Sequence, residues 1–313
     1  MFAPGKAQGL CNDPSGDAVT AMDPIVLNFF GIEVGVIAAD RDEVAFHFGP
    51  HMVKNSGCPD QLRVEFSPST GSAPGEFLVR RGDGTPLLRR AFRGWGNVPG
   101  ALPPFAALQD RFCLVPAVVL AKEGATVALI GGPYAEQANI GTALAHRSWE
   151  FVSGRLLVLD RGTGDVLPYL VPLQVRGRAA AWLRGAGLPN ELCRAVTSPA
   201  GAEVLLVRPE CLGPVAPVRA RLGRPTLIQL CRSADERVRL TPCEYTVQAW
   251  PDGSAGLFDE MPTYRLELPG VSGAEEAAGL IDQKVPHGES ESCLYVPDTL
   301  PAHRAGLTAS LRI

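Results

Sequence analysis

Short apolar runs, each closed off by glycine, proline or aspartate, repeat along almost the whole chain and leave little room for long helices. Residues 25–30, 33–38 and 44–48 are such runs near the start. Two more, 76–81 and 86–92, flank Gly82-Asp83-Gly84, and another two, 112–120 and 125–130, flank Lys122-Glu123-Gly124. β-Branched residues and period-two alternation mark them as strands, and the Asp-Gly and Glu-Gly steps mark tight hairpins. Later runs follow at 149–152, 155–160, 166–171, 203–207, 215–219, 226–231, 238–240 and 245–250. The punctuation comes from 34 glycines and 28 prolines in 313 residues. Proline is costly inside a helix or a central strand. The pattern predicts an α+β fold of strand-rich mixed sheets with few helices.

One helix stands out. Val175, Ala179, Trp182, Leu183 and Ala186 fall at helical spacing, Gly187 supplies a C-terminal stop and Pro189 follows two residues later. Its apolar stripe, with Trp182 the largest member, is expected on strands near 156–159 and 167–171. Residues 131–145 read as irregular or weakly helical. The chain divides into a flexible start at 1–22, a strand-rich part at 23–75, a central unit at 76–189, a second strand-rich part at 190–268 and a loop-rich tail at 269–313.

With 46% apolar and 20% charged residues, a sizeable core can be buried. A net charge of −4 excludes a chain-wide footprint for nucleic acid, which is not the expected partner. The only lysines are Lys6, Lys54, Lys122 and Lys284, so positive charge is almost all arginine, as GC-rich codons dictate. The eight cysteines form no CxxC pair, and several lie inside apolar runs, which predicts reduced, buried thiols. The first residues lack the apolar stretch of a signal peptide, and no run reaches the length of a membrane span. The expectation is an intracellular protein without a membrane partner.

Residues that carry chemistry are few. His47 and His51 with Cys58 would supply three zinc ligands, but Pro50 prevents the helical face an HxxxH pair uses, and no fourth ligand lies nearby. His146, His287 and His303 sit in no neighbourhood that marks a base. Gly131-Gly132-Pro133 and the Gly94, Gly96 pair read as turns rather than phosphate cradles. Arg81-Gly82-Asp83 reads as a hairpin tip. Two basic clusters, Arg89, Arg90 and Arg93, and Arg219, Arg221 and Arg224, are solvated strand faces or a polyanion patch. Glu150, Asp160 and Asp165 are surface turn acids.

A series of features in the middle of the chain carries a resemblance: Trp95, the turn at Leu102-Pro103, a strand from Arg111, a Gly-led run from Ser153-Gly154 to Leu159, a strand ending near Leu173 and the helix closing at Gly187-Leu188. This order resembles the SUKH superfamily, in particular its viral branch, the US twenty-two family of herpesvirus tegument and regulatory proteins. The resemblance implies a SUKH-like unit in which Trp182, Leu183, Gly187 and Leu188 are structural, packing the helix across a sheet. It implies a non-enzymatic viral accessory or tegument protein that binds host proteins, in host cytoplasm, nucleus or virion tegument. The bacterial branch shares the pattern and implies an immunity protein binding a toxin. A second copy is not readable in 190–268. The strands at 226–231, 238–240 and 245–248 are similar to those of herpesvirus dUTPase-related proteins, which implies a β-barrel pair. The GxxDxxYxG motif of active dUTPases is missing; residues 128–134 come nearest and lack the Asp. Neither resemblance brings a catalytic residue, a cofactor or a metal.

Overall fold

In the computed structural model the described residues are 24–38, 40–53, 61–67, 75–92, 111–185, 190–197, 203–235, 237–244, 255–269 and 273–286; the side chains of 177–179, 182 and 255 are outside the description. Among these residues the chain is strand-rich, with fifteen strands in three sheets and a few short helices.

Alternation builds the first sheet. β1 (Ile25–Phe29) buries Ile25, Leu27 and Phe29, and β2 (Ile32–Ile37) returns beside it burying Ile32, Val34 and Val36. Asn28 Oδ1 accepts from Gly31 N at 3.0 Å in the turn. β3 (Leu62–Ser67) lies parallel to β2, and a parallel pair needs a crossover. Helix α1 (Arg41–Phe48) lies on that connection, where residues 44–48 had the look of a strand. Asp40 and Glu43 explain the difference. Asp40 Oδ1 accepts from Glu43 N at 3.0 Å, the capping geometry of an Asp-x-x-Glu start. β4 (Gly75–Arg81) and β5 (Pro86–Phe92) continue antiparallel, and the sheet order is β1-β2-β3-β4-β5. The hairpin expected at Gly82-Asp83-Gly84 forms, with Asp83 Oδ1 accepting from Thr85 N at 2.8 Å.

The second sheet is a buried slab. β6 (Phe112–Lys122) turns through Glu123 (φ 48°) and Gly124 (φ 80°) into β7 (Ala125–Ile130), all of whose residues are buried. Two positive φ values in a two-residue turn match the twist of a hairpin. β8 (Glu150–Ser153) and β9 (Leu156–Asp160) lie antiparallel to β6 on its other side, interrupted at Gly154 and Arg155. β13 (Thr226–Ser233) is parallel to β7, β15 (Thr263–Pro269) is parallel to β13, and β14 (Arg239–Pro242) closes antiparallel to β15. A small third sheet, in the order β10 (Leu173–Val175), β12 (Glu203–Val207), β11 (Cys193–Thr197), lies beside the helices.

Three more helices depart from the sequence expectation. α2 (Tyr134–Ala145) is a full helix: Gly141 lets it lie close to β6, where a Cβ would come within 2.8 Å of Val118 Cγ1. α3 (Gly177–Gly185) starts later than expected, and Val175 belongs to β10. Its Ala180 and Leu183 belong to the core cluster that includes Leu173, Val175, Leu205 and Val207, whereas residues 156–159 belong to other clusters. Residues 166–171 form only isolated bridges, at Val166 and Tyr169, instead of a strand. The Trp182 side chain, Gly187 and Leu188 lie outside the described residues. α4 (Ala255–Phe258) is a single turn. α5 (Ala274–Lys284) occupies the stretch expected to be loop-rich; it buries Ala277, Ala278 and Ile281 and places Glu275 and Glu276 in its first turn and Lys284 in its last.

The helices α2, α3 and α5 cover one face of the slab, burying Leu120, Val127, Leu129, Ile228 and Leu266. Ala216, Ala220, Leu222, Phe258 and Met261 cover the other, over Val115, Val119, Ala128 and Leu227. The inner face of the first sheet packs on Phe112, Leu156, Val158, Leu167 and Tyr169. No helix among the described residues is long and apolar enough to cross a membrane. No disulfide joins the described cysteines.

Candidate functional site

His47 lies in the last turn of α1, and His51 closes the 3-10 turn Gly49–His51 after it; both are buried. His51 Nε2 accepts from Leu170 N at 3.1 Å, and its ring rests on Phe29 at 4.6 Å. That ring nitrogen is therefore committed to the backbone of the 166–171 segment. His47 Nε2 lies 3.7 Å from Glu43 Oε2. Burial pushes both histidines down to about 4, aided at His47 by the positive charges of Arg194 and Arg155. Both are neutral at pH 7. Burial raises the Glu43 carboxyl against the pull of Arg194, which pairs with it at 2.6 Å. The Arg194 guanidinium also lies 4.3 Å over the Phe46 ring, so β11 grips α1 by charge and by cation–π contact. Sequence reasoning missed Glu43, Arg155 and Arg194 at this junction; the Asp-x-x-Glu signal for α1 would have put Glu43 and His47 one turn apart. Cys58 lies outside the described residues, and among those residues no three His, Cys, Asp or Glu side chains gather to hold a metal ion.

The remaining candidates are scattered. Arg221 pairs with Asp160 and Asp165, each at 3.4 Å, and Arg224 pairs with Glu260. Arg219 is exposed, and Glu150 is exposed at the start of β8. Asp83, in the Arg81-Gly82-Asp83 tip, is held below its usual range chiefly by the Thr85 backbone N–H. Gly131 (φ 69°) and Gly132 (φ 63°) do join a strand to a helix, with Pro133 as the N-cap. That turn is packed on β13, where a Cβ on Gly132 would stand 3.1 Å from Leu230 Cβ. The first-turn position is taken by Glu136, paired with Arg232 at 2.8 Å. His146 follows α2 on the surface. Gly94, Gly96, Arg93, His287 and His303 lie outside the described residues.

The first sheet presents a different kind of site. Its β1 edge is covered by a bridge from Leu27 to Met52 and by Val53 N donating to Val26 O at 3.0 Å. Its β5 edge pairs with β4 alone among the described residues. Arg89, beside Leu78 on the outer face, pairs with Glu76 at 3.3 Å. Leu88, Arg90 and Phe92 lie on the inner face, opposite Val79, Phe77 and Gly75. Leu88 and Phe92 are half-buried against the core, whereas Val79 and Phe77 are fully buried. Among the described residues no carboxylate pairs with Arg90. The strand was legible in the sequence; its place at the end of the sheet was not.

No family model matches the chain, and no curated protein does. Among solved structures, the Hpr(Ser) kinase/phosphatase from Coxiella burnetii is similar at 10% identity and a TM-score of 0.30, over 54% of this chain and 93% of that chain. A likeness this loose carries nothing about activity to this chain.

Proposed function

We propose that this chain is a non-enzymatic binding protein that holds another protein along the β5 edge of its five-stranded sheet. The observation that carries this is the seven-residue edge strand with half-buried Leu88 and Phe92 and only one strand partner among the described residues. An edge strand offers a row of backbone donors and acceptors that an extended segment satisfies, while its side chains select the partner. His51 spends its ring nitrogen within the fold, on Leu170 N. In this proposal the protein is a viral accessory or tegument protein, and the partner is a host protein in cytoplasm or nucleus. The resemblance of residues 95–188 and the arginine-rich composition support that setting.

Site-specific photo-crosslinking tests the binding proposal. A photoreactive amino acid at Ala91, exposed on β5, is compared with one at Ser148, exposed beside the second sheet. The expected result is a defined adduct at Ala91 alone, whose identified partner binds again when both proteins are pure. Equal adducts at both positions, or none at either, would contradict it.

A further inference from the structure

Charge and register along β5 narrow the kind of partner. Strands β4 and β5 and their hairpin carry Arg80, Arg81, Arg89 and Arg90, with Glu76 and Asp83 the only acids among their described residues, in a protein whose net charge is −4. Arg80 leans on Glu65 at 3.5 Å and Arg89 on Glu76 at 3.3 Å, which uses up both glutamates. Arg90 is exposed between the half-buried Leu88 and Phe92, and Arg81 is exposed at the start of the hairpin.

A second copy of the chain is a poor occupant. Edge-to-edge pairing through β5 would set Arg89 and Arg90 near their own counterparts, and like charges across strands are destabilising. An acidic strand reverses the sign of that term. We propose that the β5 edge takes an extended acidic segment of another protein, with two adjacent carboxylates beside Arg89 and Arg90 and apolar side chains beside Leu88 and Phe92. The inference rests on the edge-binding function above and adds the chemistry of the partner.

The pattern follows from the pleat. Successive side chains of an added strand point to opposite faces, so a carboxylate beside Arg89 and one beside Arg90 must be neighbours in sequence. The residues beside Leu88 and Phe92 share the inner face with the second of them, and apolar side chains there would lie against two half-buried ones. Read in one direction, the partner carries apolar, any, acidic, acidic, apolar; read in the other, the order reverses. Side-chain arginines would also order the two carboxylates by charge-assisted hydrogen bonds.

The test uses the full chain and three labelled peptides, Thr-Val-Thr-Glu-Glu-Val-Thr, its Lys-Lys counterpart and its Thr-Thr counterpart. Fluorescence polarisation reports binding, and amide hydrogen exchange reports where. The acidic peptide is expected to bind and to slow exchange in β5, and the Lys-Lys peptide not to bind. Arg90→Glu is expected to weaken the acidic peptide by about tenfold or more and to admit the Lys-Lys peptide, with Arg89→Gln intermediate. If the Thr-Thr peptide protects β5 as well as the acidic one and Arg90→Glu changes nothing, the acidic chemistry falls and the edge reading stands. If no peptide protects β5, if the β5 amides that do not bond to β4 are already protected in the chain alone, or if sedimentation finds a dimer joined through β5, the edge reading falls too.

Discussion

The two large sheets bury their strands in opposite ways. The seven-stranded sheet is covered on one face by α2, α3 and α5 and on the other by residues around Ala216, Leu222 and Phe258, so β7 is apolar on both sides. The five-stranded sheet buries an apolar inner face, broken at its β5 edge by Arg90, and carries charged side chains such as Arg63, Glu65 and Arg80 on its outer face. A strand covered on both faces has packing to lose at every position; a one-sided strand keeps half its positions for other tasks. In the proposed function the seven-stranded sheet is the scaffold, and the five-stranded sheet carries the binding edge.

The contrast has measurable size. Trp149 is fully buried in the scaffold, and its indole N–H donates to Asp282 Oδ1 at 2.7 Å, the same oxygen that Lys122 reaches at 2.8 Å. Trp149→Ala should cost about 3–5 kcal/mol in urea unfolding, chiefly from the cavity, since Asp282 keeps its pairing with Lys122. A cost under about 1 kcal/mol would mean the scaffold is not packed as described.

Acid should separate the regions. His47 and His51 stay neutral in the fold down to about 4, from an ordinary value of 6.5, so the unfolded chain binds more protons in that window. Stability is therefore fully present above 6.5 and falls as the pH drops from 6.5 toward 4. The slope is up to about 1.4 kcal/mol per pH unit for each histidine. Glu43, raised by burial, works in the opposite sense above its ordinary 4.5 and blunts the fall. Hydrogen exchange at pH 5 should quicken in β1 and β2 before β6 and β7, and His51→Gln should flatten the pH profile. Uniform quickening would erase the distinction between the sheets.

Smaller effects sharpen it. Asp40→Ala removes the α1 cap that accepts from Glu43 N, and thermal unfolding should show a loss of about 1 kcal/mol. Arg89→Gln breaks an exposed pair with Glu76 and should change stability by less than about 0.5 kcal/mol. A larger loss there would show that the outer face of β5 is part of the fold's cohesion and not reserved for a partner.

Hairpins were the most legible part of the fold. Asp83-Gly84 and Glu123-Gly124 state their turn chemistry in two letters, and the runs beside them can only be strands. Helices were harder, because α2 and α5 are built on small side chains, Ala138, Gly141, Ala277 and Ala278 among them, whose periodicity is faint although their packing is close. The parallel pairs β2–β3 and β7–β13–β15 join residues far apart in the chain, and nothing local records them. The same gap hid the site. Arg89 and Arg90 were visible as a basic cluster, but strand order alone puts them on an edge. His47 and His51 were visible as possible ligands, but only the fold delivers Leu170 N to His51 and Arg194 to Glu43.

The most direct measurement is amide hydrogen exchange of the intact chain, alone and bound to the partner captured at Ala91. Slowed exchange is expected to concentrate in β5, residues 86–92, with β6 and β7 unchanged. Protection that falls on the seven-stranded sheet, or on no strand at all, would contradict it.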